Sequence, residues 1–234
     1  MTVNNATETT PAAAGQHVLK EEAARYALLR RIAPTLRHHL AGTLQPIGMV
    51  SAIMERRLQS DQPDLAVLRD NSKSISTLSR TAAGASMNLI TWVAPKENGY
   101  VAVHEGIEEC VGMLSTDLAF RGFNLTNDVK PSGVSTSVFA LRSVFTAALI
   151  ALTDAAMTPA SIVISCAPAD GESRVLITVT PGADAATPES PRGYRKLGWD
   201  DVDALALAEK VGLSQAAGRA ELRFAAAEHA DTHV

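Results

Sequence analysis

Apolar side chains recur every three or four positions over the first third of the chain, which predicts two long amphipathic helices. The first helix is predicted over 18–58 and the second over 63–92. Because the connection over 60–64 is short, we expect the two helices to form an antiparallel hairpin. The stripe of the first helix contains Leu29, Ile32, Leu36, Leu40, Ile47, Val50, Met54 and Leu58. One hairpin cannot bury two such stripes by itself, so the pattern predicts a homodimer in which two hairpins form a four-helix bundle.

Two prolines interrupt the first helical pattern. Pro34 and Pro46 each remove a backbone donor and crowd the preceding turn, so a bend is expected at each, and Pro34 is also compatible with a break between two helices. In the connection, Asp61 is a candidate helix cap and Pro63 suits the first turn of the second helix.

The second half of the chain alternates between strand and helix patterns, which predicts an α+β sandwich with helices on one face of a mixed sheet. The polar segment 95–99 marks the domain boundary. The predicted organisation is a disordered tail over 1–17, a helical hairpin over 18–94, an α/β domain over 99–226 and a frayed tail over 227–234. Strands are predicted over 100–103, 123–129, 161–166, 174–179 and 220–225, helices over 104–121, 136–157 and 200–211, and a loop over 180–199.

Composition narrows the class of protein. The chain has 234 residues, 46% of them hydrophobic and 20% charged, and the low aromatic content of 4% implies an aliphatic core. A net charge of −4 without basic runs argues against nucleic acid as the main partner. The sequence shows no apolar run that predicts a membrane span and no signal-peptide pattern, so a cytoplasmic protein is expected. Cys110 and Cys166 have no metal-type spacing and are expected to be buried free thiols.

His38 is the candidate reactive residue. With Leu36 at zero and about 100° per residue, His38 falls at about 200°, opposite the apolar stripe, whereas His39 falls nearer the edge of the stripe. An exposed imidazole is either a solvated surface histidine or a nucleophile that can attack a phosphoryl group at neutral pH. A bend at Pro34 would shift the helix phase, so His39 stays open as the alternative acceptor.

The segment that begins at His38 resembles the H-box of sensor histidine kinases, in which the reactive His is followed by an acidic residue, Leu, a basic residue, any residue, Pro and Leu. His38, Leu40 and Leu44 match this box, whereas His39, Ala41 and Thr43 replace the acidic residue, the basic residue and the Pro. The resemblance extends over about 29–224 and implies a dimerisation and phosphotransfer hairpin followed by an ATPase-like domain.

The resemblance also indicates where nucleotide-binding residues would lie, and this chain departs from each. Asp154 stands where the family has an Asn beside the metal; a carboxylate can still bind magnesium, but it adds negative charge next to phosphate. Pro181 stands where an Asp would bond adenine, and Gly182 is a displaced remnant of the glycines that follow. The last helix has three carboxylates over 199–207 instead of a glycine pair, and carboxylates compete with phosphate at a helix N-terminus. The prediction is therefore a degenerate nucleotide site.

These departures predict a histidine phosphotransferase that accepts a phosphoryl group on His38 from one response-regulator receiver domain and donates it to another, with no metal or other cofactor of its own. Arg37 either screens phosphoryl charge or is simply solvated. His39, Ala41, Gly42 and Gln45 are the accessory or docking positions. The alternatives are a pseudokinase scaffold that binds receivers without transfer, and an atypical active histidine kinase.

Overall fold

The computed structural model of the chain describes residues 11–93, 99–169, 171–187 and 195–227, with side chains from residue 15 onward and none at 168–169. Four predictions fall at least partly on residues outside these ranges. They are the disordered tail (1–10 of the predicted 1–17), most of the hinge, part of the loop over 180–199 and the frayed tail (228–234 of the predicted 227–234). The described residues form two compact units. One comprises α1 up to Arg31 together with the chain from β1 onward, and the other begins at Ile32 and includes the rest of α1 and α2.

The helical unit is built from the part of α1 that begins at Ile32 and from α2. Helix α1 covers Pro11–Leu58 without interruption at Pro34 or Pro46, so Pro34 does not separate two helices, and α1 begins earlier than the predicted residue 18. Helix α2 covers Leu65–Val93. The cap of α2 is Asp64 rather than the predicted Asp61, because the Asp64 carboxylate accepts the backbone N–H groups of Ala66 at 2.9 Å and Val67 at 3.2 Å.

The other unit contains a mixed sheet covered by helices, as the α+β pattern predicts. Its elements are β1 (Tyr100–Ala102), α3 (Val103–Phe120), β2 (Phe123–Asn127), β3 (Ser135–Ser137), α4 (Val138–Ala140), a π-helical turn (Leu141–Phe145), α5 (Thr146–Ala155), β4 (Thr158–Ala169), β5 (Glu172–Ala186), α6 (Trp199–Ala208), β6 (Gly212–Ala216) and β7 (Arg219–Ala225). The five-stranded sheet has the order β2-β4-β5-β7-β6, in which β2 and β4 are parallel and the other pairs are antiparallel. Strands β1 and β3 form a separate antiparallel pair.

The sequence pattern missed two strands and misplaced the ends of others. Strands β3 and β6 are short and largely polar, so they lack the β-branched alternation that identifies a strand. Strand β5 continues to Ala186, into the segment predicted as loop. The apolar helix begins at Val138 rather than at residue 136, because the Ser137 hydroxyl accepts the backbone N–H of Ala140 and caps the helix.

The apolar helix Val138–Ala155 lies at the core of the α/β unit. It is the one segment among the described residues that is long and apolar enough to span a membrane by composition, although the sequence analysis expected none. It is 78% buried inside the protein. A central helix packed on several sides is apolar all round for the same reason that a membrane helix is, so its composition reflects its position in the core.

Cys110 provides a test of this core. It is free and fully buried on α3, whereas the free Cys166 is half-buried. Burial raises the pKa of the Cys110 thiol to about 12. Because the thiolate is the nucleophile, we expect iodoacetamide at pH 8 to leave Cys110 unmodified in the folded protein and to modify it in denaturant, with Cys166 reacting first. Peptide mass spectrometry after timed alkylation measures this order, and rapid native modification of Cys110 would contradict the packing.

Candidate functional site

His38 lies on the solvent-facing side of α1, as the helix phase predicts. Leu36 is buried, whereas Arg37, His38 and His39 are all exposed. Exposure therefore does not by itself choose between the two histidines as the acceptor. The imidazole of His38 is accessible to a reacting group that approaches from solvent, which is the geometric requirement for a nucleophile that acts on a partner protein.

The predicted accessory positions surround His38 with small and polar groups. Ala41, Gly42 and Gln45 are exposed, and apart from its chain neighbours and the backbone of α1 itself no described heavy atom lies within 4 Å of the position that a Cβ on Gly42 would occupy. Thr43 is half-buried, and its hydroxyl donates to the Leu40 carbonyl at 2.9 Å, so it serves the helix rather than a ligand.

The His38 side of α1 continues as an exposed stripe toward the C-terminal end of the helix. Residues three or four positions apart share one helix face. Met49 is 61% and Ile53 is 41% exposed, so this stripe presents apolar side chains as well as polar ones to solvent. We call this set of exposed residues the His38 face: His38, Gly42, Gln45, Met49, Ile53 and Arg56.

Asp154 is at the centre of a buried ionic cluster in the α/β unit, and its side chain is 1% exposed. Its Oδ1 accepts a hydrogen bond from Arg31 Nη2 at 2.7 Å and another from Arg121 Nη2 at 2.9 Å. Its Oδ2 accepts the backbone N–H of Leu197 at 3.4 Å. Asp154 lies in the last turn of α5, where the helix dipole disfavours a negative charge, so the two guanidinium groups are what stabilise the carboxylate there.

Sequence reasoning found Asp154 but missed both of its arginines. Arg31 is on α1 and Arg121 follows α3, and Arg31 is 123 positions away from Asp154 in sequence. Both look like ordinary surface arginines in their local patterns, so no signal in a single sequence identifies them. Within the described part of the chain, no three His, Cys, Asp or Glu side chains are grouped as metal ligands.

The start of α6, where the resemblance would place phosphate, is occupied by one of the chain's own carboxylates. Asp201 accepts two hydrogen bonds from the Arg195 guanidinium, at 2.6 and 2.7 Å, and the backbone N–H of Gly198 at 3.0 Å. Although burial alone would raise the pKa of Asp201, the hydrogen bonds and positive charge of Arg195 and the Gly198 N–H lower it. An ionised carboxylate thus caps this helix N-terminus.

Pro181 and Gly182 lie within strand β5. Pro181 is paired with Ala160 of β4, so it belongs to the sheet rather than to a loop. A Cβ on Gly182 would lie 3.1 Å from the Pro159 carbonyl oxygen, which indicates that the glycine permits a close backbone approach. His38 and Asp154 belong to different compact units.

Comparison with known proteins gives structural likeness only. No known protein-family profile matches the chain, and no curated protein matches its sequence. The chain is similar to the histidine kinase AdeS from Acinetobacter baumannii, with 14% identity and a TM-score of 0.43, over 76% of this chain and 96% of that one. It is also similar to a histidine kinase from Burkholderia phymatum, with 12% identity and a TM-score of 0.42, over 84% of this chain and 97% of that one. A bacterial phosphotransferase gives 10% identity and a TM-score of 0.39, over 84% of this chain and 94% of that one.

Each TM-score is below 0.5 and each identity is at most 14%, so these likenesses assign no function to this chain.

Proposed function

We propose that the chain is a cytoplasmic histidine phosphotransferase that relays phosphoryl groups between response-regulator receiver domains through His38. The observation that carries the proposal is the exposure of His38 on α1, beside small and polar neighbours that leave room for a partner. The experiment is to mix the purified chain with a phosphorylated receiver domain, follow the label onto the chain, and then onto a second receiver.

The chemistry needs one imidazole from this chain. A ring nitrogen of neutral His38 attacks the phosphorus of an aspartyl phosphate, a nitrogen–phosphorus bond forms, and the bond from phosphorus to the aspartyl oxygen breaks with release of the carboxylate. A proton leaves the imidazolium to solvent, and the reverse sequence delivers the phosphoryl group to a second aspartate. Magnesium in such a reaction belongs to the receiver, so this chain supplies no cofactor.

The charge around His38 supports an anionic partner. Between Glu22 and Glu55, α1 contains no Asp or Glu but carries Arg37 among its basic residues. A surface free of carboxylates on this helix does not repel the phosphoryl group or the acidic side chains that bind magnesium in a receiver. The apolar Met49 and Ile53 of the His38 face add contact area for a protein partner rather than for a small molecule.

Three features of the chain support the idea that it does not obtain phosphate from ATP itself. Both oxygens of Asp154 already accept hydrogen bonds, so a magnesium ion would compete with two guanidinium groups at Oδ1 or with the Leu197 N–H at Oδ2. The Asp201 carboxylate accepts the Gly198 backbone N–H and places a negative charge at the positive end of α6, which would otherwise attract phosphate. Pro181 has no side-chain acceptor for an adenine amino group.

Two other functions use the same fold. The substitution of His39 for an acidic neighbour favours a pseudokinase scaffold, which would bind receivers without taking label from them. An atypical active kinase would need nucleotide, so titration calorimetry with ATP and magnesium tests it directly. Absence of heat together with transfer from a phosphorylated receiver supports the relay, whereas ATP binding followed by self-labelling would replace it with the kinase.

The homodimer is part of the proposal, because the helical unit leaves apolar side chains in water. Leu44 is 48% and Val93 is 59% exposed, on helices that a second hairpin would cover. We expect Leu44→Glu to shift the protein from dimer to monomer, since a charge buried at the bundle interface has no partner. The matched control is Leu207→Glu, on the exposed side of α6, which should stay dimeric. Sedimentation velocity measures both, and a wild-type monomer at tens of micromolar would contradict the bundle.

A further inference from the structure

An apolar cavity in the α/β unit has no role in the proposed phosphorelay. Its volume is about 640 Å³, and the larger side chains that line it are Leu152, Met157, Val179, Pro181, Trp199 and Gln215. The other lining residues are alanines and a glycine, whose small side chains leave the space between the larger ones open. The volume lies in the range of pockets that hold small molecules, which are mostly apolar with a few polar groups for orientation.

The charge of the lining decides the class of ligand. None of the described residues that line the cavity is ionisable. The Asp154 carboxylate, on the same helix as Leu152, is held instead by Arg31 and Arg121 and does not line the cavity. A ligand with a net charge would lose its hydration without gaining a counter-charge, at a cost of several kcal/mol.

The half-buried Trp199 gives the cavity a preference for a ring. Its indole can stack on a planar aromatic group, and the Gln215 amide offers both a donor and an acceptor to a polar substituent. We propose that this cavity binds an uncharged aromatic small molecule. The chain would then have a small-molecule ligand in addition to its protein partners. The proposal does not depend on phosphotransfer, so either can fail while the other stands.

The test compares two probes that differ by one anionic sulfonate group. The full chain carrying Trp92→Phe retains Trp199 as its one tryptophan, since the sequence has two. We expect uncharged 1-anilinonaphthalene to quench Trp199 emission by energy transfer while its own fluorescence rises, and we expect its sulfonated counterpart and ATP to bind at least about tenfold more weakly.

Filling the cavity separates it from other apolar surfaces of the chain. Ala156→Leu and Ala216→Leu add a side chain on two different elements that line the cavity, and each should weaken quenching of Trp199 by about tenfold or more. Ala208→Leu adds the same group at an exposed position of α6 and should leave binding unchanged. Circular dichroism and the melting temperature establish that the variants are folded. Quenching that survives both filling variants, or equal binding of the sulfonated probe or of ATP, would overturn the proposal.

Discussion

His38→Gln is expected to abolish phosphoryl transfer to this chain from a phosphorylated receiver domain, lowering the initial rate by more than about a hundredfold to background. Glutamine retains a polar side chain of similar reach, but its amide nitrogen is not a nucleophile, so the substitution removes the chemistry with little change to the helix. Because His38 is exposed, the variant should keep the melting temperature and the receiver affinity of the wild type. Label transfer in a time course with radioactive phosphate measures the effect.

The neighbouring histidine provides a matched control. His39→Gln changes the same side chain, at an equally exposed position one residue further along α1, and should retain transfer within a few-fold. The label on the wild-type chain should be lost in acid and resist base, as expected of a phosphoramidate. If His39→Gln abolished transfer while His38→Gln did not, the assignment of the acceptor would be reversed. If the wild type bound a phosphorylated receiver but took no label, the scaffold function would replace the relay.

Asp154→Ala should lower the free energy of unfolding of the α/β unit by about 3–5 kcal/mol, because it leaves the buried Arg31 guanidinium without its carboxylate. Arg121 loses one partner but keeps Asp117 at 3.7 Å and the Thr153 carbonyl at 3.0 Å. Arg31 is 8% and Arg121 is 16% exposed in their side chains, so water cannot easily replace the lost partner. The more exposed pair Arg174–Glu221, which lies in the same unit, gives the control: Arg174→Ala should cost less than about 1 kcal/mol.

Urea unfolding followed by Trp199 fluorescence in the Trp92→Phe background measures both changes, since Trp199 reports on the α/β unit. A double-mutant cycle between Arg31→Ala and Asp154→Ala separates the pairwise coupling from the loss of packing. A cost below about 1 kcal/mol for Asp154→Ala, or no coupling with Arg31, would contradict the buried cluster. That result would also weaken the argument that Arg31 and Arg121 exclude a metal ion at Asp154.

The local pattern of the chain was sufficient for features that depend on one element at a time. The three-and-four spacing around Leu36 predicts the exposed position of His38, because the geometry of a helix fixes which side chains share a face. The alternation of helix and strand patterns predicts the α+β class. Short polar strands such as β3 and β6 carry no such signal, since their pairing comes from neighbours distant in sequence.

Only the tertiary structure decided which partners the Asp154 carboxylate has. The sequence presents Asp154 as a residue that can hold magnesium, but the fold brings Arg31 and Arg121 to it from two other helical segments and engages both of its oxygens. Whether a buried carboxylate is available to a ligand depends on the charges packed around it, and those come from residues far apart along the chain. The amino-acid order thus determined the exposed position of the His38 imidazole and the class of fold, whereas three-dimensional packing determined which charges face one another.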